Sequence, residues 1–278
     1  MKKILFPTDF SKTSFNAFVY ALHLAEMINA EIITLHAYEF PVNGYIDNNF
    51  LAINFNISEW DEFENFKSEI PKLRVIIEKE KMEHIKVTHM LQEGNAIATI
   101  KEVAEKENVD YVIMGTNGAS GFSDVFLGSV TDNVMNQSRK TVLAIPAHCH
   151  FKPIKKMLFL SHLKSTNIDL LRRLNELAIL LHAHIDVLEV KEHHEAEESN
   201  TILKWKSFFP KAGINFYILA SNDTEGTVID FIDINKIDIV SIPVHHKGFF
   251  KKIFAYSLSR KLGYHSTIPL LGMPHNDL

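Results

Sequence analysis

The segment KKILFPTDFSKTS at residues 2–14 recurs in altered form as KKMLFLSHLKSTN at residues 155–167. Further along each copy, AEIITLHA at 30–37 is matched by AHIDVLEV at 183–190. All four segments contain short apolar runs of the kind that form buried strands. The order and spacing of these pairs indicate that one unit occurs twice in the chain.

The later parts of the two copies also correspond. VDYVIMGTNG at 109–118 aligns with IDIVSIPVHH at 237–246, and KTVLAIPA at 140–147 aligns with STIPLLGMP at 266–274. A chain of 278 residues is long enough for two domains of roughly 100–150 residues each. The repeat therefore predicts two copies of one domain.

The junction between the copies lies in PAHCHFKP at 146–153, a short linker with a proline at each end. We predict one domain at 1–147, which carries an intact glycine motif. We predict a second domain at 154–278, in which that motif is degenerate.

Within the first copy, strand patterns alternate with helix patterns. The predicted strands are 2–7, 31–38, 86–92, 109–115 and 141–147, and the predicted helices are 11–28, about 58–83, a helix opened by Gly94, and 128–138. Strands joined by helices of this length are parallel, and right-handed connections place the helices on both faces of the sheet. The predicted fold class is therefore α/β, with two repeated doubly wound domains, each a five-stranded parallel sheet flanked by helices.

Composition excludes several classes of function. The net charge is −5 and the chain has no basic stripe, so nucleic acid is not an expected partner. No segment reaches the ~18 consecutive apolar residues of a membrane span, so we expect no membrane partner either. The single cysteine, Cys149, excludes an intrachain disulfide and suits the reducing cytoplasm.

Four of the 11 glycines in the chain fall within GTNGASGFSDVFLGS at 115–129, directly after the apolar run DYVIM. Glycine amides and the start of a helix near Gly128, at the carboxyl end of a strand, would form a phosphate site. No GK[ST] follows, which excludes a Walker A loop, and the spacing and position differ from the Rossmann GxGxxG. From chemistry alone, a phosphate site and a plain glycine-rich surface loop stay equally open.

The spacing Gly115-x2-Gly118-x9-Gly128-Ser129 closely resembles the nucleotide-binding signature of the universal stress protein family. KKILFPTDFS, the HAY that ends the second strand, VDYVIMG and TVLAIP fit the same family. The resemblance covers both halves of the chain. It implies a tandem protein with two Rossmann-like domains of the adenine nucleotide alpha hydrolase type.

The resemblance also implies a site for ATP, or for ADP or AMP, in the first copy. It assigns to this site Pro7, Thr8, Asp9, Ala37, Met114, Gly115, Asn117, Gly118, Gly128, Ser129, Val130 and Thr131. By position, Pro7 and Asp9 would flank the base and ribose, and Ala37 would offer its backbone to the adenine. Asn117 stands where relatives often carry a basic residue, so charge neutralisation would be weaker or left to Mg²⁺.

The second copy has lost these residues. Leu160 and His162 stand at the positions of Pro7 and Asp9, and Pro243 stands at that of Gly115. Proline lacks a donor amide and has a fixed φ, so the same cradle cannot form there. We expect no nucleotide in the second copy by this mode.

The family resemblance implies a cytoplasmic stress-response or regulatory protein that binds an adenine nucleotide and is not an enzyme. A nucleotide-free interaction module and a weak ATPase are the alternatives. Family members pair through their last strands, which here would set TVLAIP against IPLLGMP in an intramolecular pseudo-dimer. A further homodimer stays open.

Four other segments of the sequence carry predictions. The stretches His148-Cys149-His150 and EHHE at 192–195 resemble metal tracts, but their spacing does not converge four ligands, so we expect a polar linker and a solvated loop. The apolar residues of the helix at about 58–83 are predicted to face the core. The insert at 44–55 is predicted as a loop that packs over the nucleotide or against a second subunit.

Overall fold

The computed structural model describes residues 1–39, 48–116, 128–161, 167–192, 198–210, 213–244 and 268–275. In the first half these residues form the strands β1 (Lys2–Pro7), β2 (Ala30–Tyr38), β3 (Val87–Glu93), β4 (Tyr111–Gly115) and β5 (Thr141–Ile145). The helices between them are α1 (Lys12–Ile28), α2 (Asn48–Glu80), α3 (Ala96–Lys106) and α4 (Ser129–Gln137).

The second half repeats this alternation. Its strands are β6 (Lys156–Leu160), β7 (His184–Lys191), β8 (Ile214–Ala220), β9 (Ile239–Pro243) and β10 (Leu270–Met273). Its described helices are α5 (Ile168–Leu181), α6 (Glu198–Phe208) and α7 (Thr224–Asn235). None of the helices in the described part of the chain is long and apolar enough to cross a membrane.

The ten strands form one continuous sheet in the order β3-β2-β1-β4-β5-β10-β9-β6-β7-β8. Neighbouring strands within each half are parallel, whereas β5 and β10 pair antiparallel. The predicted α/β fold class is confirmed. The two parallel five-stranded units are continuous through the antiparallel pairing of β5 with β10, the last strands that the family resemblance set against each other.

Helices cover both faces of the sheet. One core layer packs Phe6 of β1 and Phe159 of β6 against α1, α2, α5 and α6. The other packs Leu5 and Leu158 against α3, α4 and α7. The alternation of side chains along each strand supplies both layers, since successive residues point to opposite faces.

Equivalent polar contacts occur in the two halves. The amide of Lys3 donates to Asp110 Oδ2 at 2.8 Å, and the amide of Lys156 donates to Asp238 Oδ2 at 3.0 Å. The sequence alignment matches Lys3 with Lys156 and Asp110 with Asp238. The internal repeat is therefore a repeat of side-chain interactions as well as of apolar runs.

The start of α1 follows its sequence signal. Ser11 is the N-cap, and its hydroxyl accepts a hydrogen bond from the Ser14 amide at 3.2 Å. The helix ends at Asn29, which has a left-handed φ of 52° and donates its amide to the carbonyls of the last turn.

The predictions for α2 need two corrections. The helix begins at Asn48 and not near residue 58, so much of the apolar insert is helical and not a loop. Trp60 and Phe63 are 65% and 46% exposed, so the core-facing prediction is wrong at this end, whereas Leu73 is fully buried. A helix of 33 residues is about 50 Å long, and β2 with nine residues spans about 30 Å. Helix α2 is therefore longer than any strand of the described sheet. Residues 44–47 of the insert lie outside the described residues.

Candidate functional site

A pocket opens at the carboxyl ends of β1, β2 and β4, between α3 and α4. Its volume is about 210 Å³. In an open parallel sheet this edge is where ligands bind, because the strand ends and the helix N-termini converge there. The described residues that line it are Pro7, Thr8, Asp9, Ser14, Leu35, His36, Ala37, Ala96, Ile100, Met114, Gly115, Thr116, Gly128, Ser129, Val130 and Thr131.

The structure brings together ten of the twelve residues that the sequence assigned to the site. These are Pro7, Thr8, Asp9, Ala37, Met114, Gly115, Gly128, Ser129, Val130 and Thr131. Asn117 and Gly118 lie outside the described residues. The ten come from four separate segments of the chain, so a shared wall is not a consequence of sequence proximity. Their role in binding stays a prediction.

The N-terminus of α4 faces this pocket without a side-chain cap. Gly128 is the N-cap residue, and its carbonyl accepts from the Asp132 amide at 2.9 Å. The amides of residues 129–131 cannot donate within the helix, because the first turn has no preceding carbonyls. Ser129 and Val130 are exposed. This geometry suits an anion, although Asp132 in the first turn opposes it.

Three hydrogen bonds fix the position of this helix start. The Thr131 hydroxyl donates to the Gly115 carbonyl at 2.8 Å, and the Gly128 amide donates to the Thr116 carbonyl at 2.5 Å. The Thr116 amide in turn donates to Ile145 of β5 at 3.0 Å. The start of α4 is therefore tied to the end of β4.

Gly115 has a packing role that the sequence did not reveal. A Cβ atom at this position would lie 2.9 Å from Thr13 Cγ2 and 3.2 Å from the Thr13 carbonyl oxygen. The first turn of α1 thus approaches the end of β4 too closely for any side chain. Glycine is required here by α1, whatever the pocket binds.

The end of β1 is held by a small polar network. The hydroxyls of Thr8 and Ser14 are 2.6 Å apart, and Thr8 Oγ1 accepts from the Phe10 amide at 3.0 Å. Asp9 is exposed, and its Oδ1 accepts from the Ser11 amide at 3.1 Å. Asp9 therefore shapes the turn before α1 while it lines the pocket.

His36 is a pocket residue that sequence reasoning missed. Its Nδ1 lies 2.8 Å from the Thr8 carbonyl oxygen, which can only accept, so Nδ1 carries the proton. The ring packs against Phe10 and Phe66. The signal in the sequence was a histidine at the end of an otherwise apolar strand. The other residues missed were Ser14, Leu35, Ala96, Ile100 and Thr116.

The pocket has few charges. Among the described lining residues, Asp9 and His36 are the ionisable ones, and no lysine or arginine is present. An anionic ligand would have to rely on amides, on a metal ion or on residues outside the described set.

The corresponding edge of the second half differs at its described positions. Leu160 ends β6 where Pro7 ends β1, and Pro243 ends β9 where Gly115 ends β4. The other substituted positions lie outside the described residues: His162 at the position of Asp9, His246 at that of Gly118 and Tyr256 at that of Gly128.

Neither candidate metal tract forms a cluster in the described part of the chain. No group of three or more histidine, cysteine or acidic side chains gathers there. Cys149 is buried, and its sulfur lies 2.9 Å from the Tyr20 hydroxyl. Burial raises the pKa of the Cys149 thiol. Residues 193–195 of EHHE lie outside the described residues.

Comparison with known proteins supports the resemblance found in the sequence. A family model, described as the universal stress protein family, matches residues 1–146. The chain is 32% identical over 152 residues to Universal stress protein MJ0577 of Methanocaldococcus jannaschii, and the match covers 52% of this chain and 94% of the relative. It is 29% identical over 145 residues to Universal stress protein MJ0531 of the same organism, with 52% and 81% covered.

The fold likeness extends over both halves. A universal stress protein from Archaeoglobus fulgidus DSM 4304 superposes with a TM-score of 0.74 at 16% identity, covering 99% of this chain and 98% of that one. A putative universal stress protein from Pseudomonas aeruginosa UCBPP-PA14 superposes with a TM-score of 0.61 at 11% identity, covering 99% and 93%. At these identities the likeness concerns the fold alone. Because the family model matches more than half of the sequence, the chain belongs to the universal stress protein family.

Proposed function

We propose that the pocket of the first half binds an adenine nucleotide, ATP or else ADP or AMP, and that occupancy of the pocket regulates the protein in the cytoplasm. The observation that carries this proposal is the convergence of strand ends and the uncapped start of α4 on one pocket. The residues of the family signature that are described line that pocket.

The apolar part of the pocket suits a nucleobase. Leu35, Ile100 and Met114 are buried side chains that line it, and Pro7 closes it at the end of β1. An adenine ring gains from contact with such surfaces while its edge needs a few polar partners. The backbone of Ala37, at the end of β2, is the group that we assign to that edge.

The polar part suits the phosphates. The amides at the start of α4 and the positive end of its dipole favour negative charge, and Gly128 adds no side chain that would compete. Each charge-assisted hydrogen bond contributes on the order of 1.5–3 kcal/mol. Asn117 and Gly118 complete this part of the proposed site.

Mg²⁺ is the proposed counterion. The described pocket wall contains no lysine or arginine, so a triphosphate would remain mostly unneutralised by side chains. A bound Mg²⁺ would supply that charge through phosphate oxygens and water, its usual ligands. Asp9 is the one carboxylate among the described lining residues, and carboxylates are ligands that Mg²⁺ accepts.

We assign one nucleotide to each chain. Pro243 removes a donor amide at the end of β9 and fixes the local φ, which argues against the same cradle in the second half. We further propose that 1–147 and 154–278 are two domains that form an intramolecular pseudo-dimer through β5 and β10. The proposed role is regulatory and not catalytic, and it rests on a described pocket wall that holds no lysine or arginine to clamp the phosphates.

A matched pair of substitutions at Gly128 tests the proposal. The residue has φ −58° and ψ 154°, which any L-residue can adopt, and both aspartate and asparagine are good N-caps. Gly128→Asp places a carboxylate where the phosphates would lie, and Gly128→Asn adds nearly the same volume without charge. Calorimetric titration with ATP, ADP and AMP should give one site per wild-type chain. The aspartate variant should bind ATP at least about tenfold more weakly than the asparagine variant.

Other results would favour the alternatives. No binding by the wild type, or equal ATP affinity of the two variants, would favour a nucleotide-free interaction module. Phosphate release by the wild type that Gly128→Asp removes would favour a weak ATPase.

A further inference from the structure

A second cavity, here called the basic groove, lies at the amino ends of β1 and β5. It has a volume of about 640 Å³ and includes the first residues of β1 and β5, Lys2 and Thr141. It also includes Arg173, which belongs to α5 of the second half. The groove therefore exists only where the two halves meet, far from the pocket at the carboxyl ends of the strands.

Cationic side chains dominate its wall. Lys2, Arg139, Lys140 and Arg173 line the groove, and Asp110 is the one carboxylate among its described lining residues. Asp110 Oδ2 already accepts from the Lys3 amide at 2.8 Å. The groove thus combines four positive charges with one negative charge.

The four cationic side chains differ in the contacts that they already make within the protein. Lys140 Nζ donates to Asn108 Oδ1 at 3.0 Å and lies 3.9 Å from Glu105. Lys2 Nζ lies 5.9 Å from the centre of the Tyr111 ring. Arg139 is exposed and makes no hydrogen bond or ion pair with the described residues.

Arg173 is anchored at the wall of the groove. Its two terminal nitrogens donate to the Pro274 carbonyl at 2.9 Å and to Thr141 Oγ1 at 2.8 Å. These contacts join α5 to β5 and to the end of β10. Burial lowers the pKa of Arg173, because a less polar surrounding disfavours its charge. An anion in the groove would offset that cost.

The internal repeat provides a comparison. The alignment matches Arg173 with Tyr20 and Asp110 with Asp238. In that equivalent region the linker lies against the repeat: Cys149 Sγ is 2.9 Å from the Tyr20 hydroxyl, and Lys152 Nζ is 2.9 Å from Asp238 Oδ1. The linker therefore covers the equivalent region and neutralises its carboxylate. The basic groove, in contrast, is open among the described residues and has an excess of positive charge.

We propose that the basic groove binds a small oligophosphate, either inorganic or as the phosphate chain of a metabolite. Four cationic side chains around one polar cavity favour a multivalent anion over a single carboxylate. Arginine in particular recognises phosphate with paired donors. The proposal does not depend on the nucleotide pocket.

Inorganic tripolyphosphate is the probe, and charge reversal at Arg139 is the principal variant. Arg139 is exposed, so Arg139→Glu should fold normally. Lys204→Glu makes the same change of charge at an exposed position on α6 and serves as the control. All proteins also carry Gly128→Asp, which blocks the anion position at the start of α4. Nuclear magnetic resonance of the backbone amides locates the site, and calorimetry gives the affinity.

We expect tripolyphosphate to shift the amides of Asn29, Asn108 and Thr141. Arg139→Glu should weaken binding by about tenfold or more, and Lys204→Glu by less than about twofold. Pyrophosphate should bind more weakly than tripolyphosphate. Equal affinity of the Arg139→Glu and control proteins, shifts confined to residues 128–131, or no binding would each overturn the proposal.

Discussion

Leu143 of β5 and Leu271 of β10 lie directly opposite each other in the antiparallel pairing that joins the two halves. Leu143 pairs with Ile113 on its other side, and Leu271 pairs with Ser241. The sequence alignment matches Ile113 with Ser241, so the two leucines are equivalent residues of the repeat. A local twofold axis therefore passes between them.

Truncation at this axis should destabilise the whole chain. Leu271 is 1% exposed, and Leu271→Ala should lower the free energy of unfolding by about 2–5 kcal/mol, because it leaves a cavity at the joint. Leu203 is 64% exposed, and Leu203→Ala should change it by less than about 0.5 kcal/mol. Denaturant unfolding of both variants measures the difference. Equal effects of the two substitutions on the free energy of unfolding would show that the pairing of β5 with β10 contributes no particular stability.

Gly272 of β10 should not tolerate a side chain. A Cβ atom there would lie 2.6 Å from Met135 Cγ and 2.8 Å from its sulfur, so α4 of the first half presses on a strand of the second. Gly272→Ala should cost about 1–3 kcal/mol through overpacking. In the Met135→Ala background the added methyl group has room, so the cost should shrink or vanish. A double-mutant cycle by thermal unfolding measures this coupling, and strict additivity would contradict it.

Removal of the Ser241 hydroxyl should stabilise the protein. Ser241 is fully buried in β9, and its Oγ has no hydrogen-bond partner among the described residues. A buried hydroxyl without a partner costs about 1–3 kcal/mol, so Ser241→Ala should raise the free energy of unfolding by about 1 kcal/mol. Thr131→Val is the contrasting variant, because the Thr131 hydroxyl donates to Gly115. It should lower stability, and a loss of stability in both variants would contradict the assignment.

Stability should fall in acid through Asp238. Burial alone would raise the pKa of Asp238, but the hydrogen bonds from Lys152 and from the amides of Lys155 and Lys156 outweigh it and lower the pKa. A lowered folded-state pKa means that the unfolded chain binds the proton more readily. The contribution of Asp238 is therefore present above its ordinary pKa of about 3.9 and is lost as the pH falls through the lower folded-state value.

Asp238→Asn should consequently be less stable than the wild type at neutral pH, with the gap closing as the pH falls. The exposed Asp230→Asn is the control and should follow the wild-type profile. Urea unfolding across the acidic range provides the measurement. A gap that does not change with pH would indicate a loss of packing and not a loss of charge.

Much of the fold could be predicted from local patterns. The apolar runs of β1, β4 and β9 and the helical spacing of α1 are read within a few residues of sequence, because each strand or helix buries its own apolar face. The exceptions depend on distant partners. Trp60 and Phe63 have helical spacing like Leu73, yet they are exposed. The sequence of α2 does not reveal how far the rest of the protein extends beside the helix.

The candidate site shows the same division. The sequence by itself determined the repeat, the alternation of strands and helices within each copy and the glycine spacing that leads to Gly115 and Gly128. Only the tertiary structure decided that Gly115 is required by Thr13 of α1, and that His36 and Ile100 share the pocket with them. It alone also set Arg173 of one half beside Lys2 of the other. Periodicity and propensity act over a few residues, whereas these contacts join segments far apart in the chain, and they form only when the sheet brings those segments together.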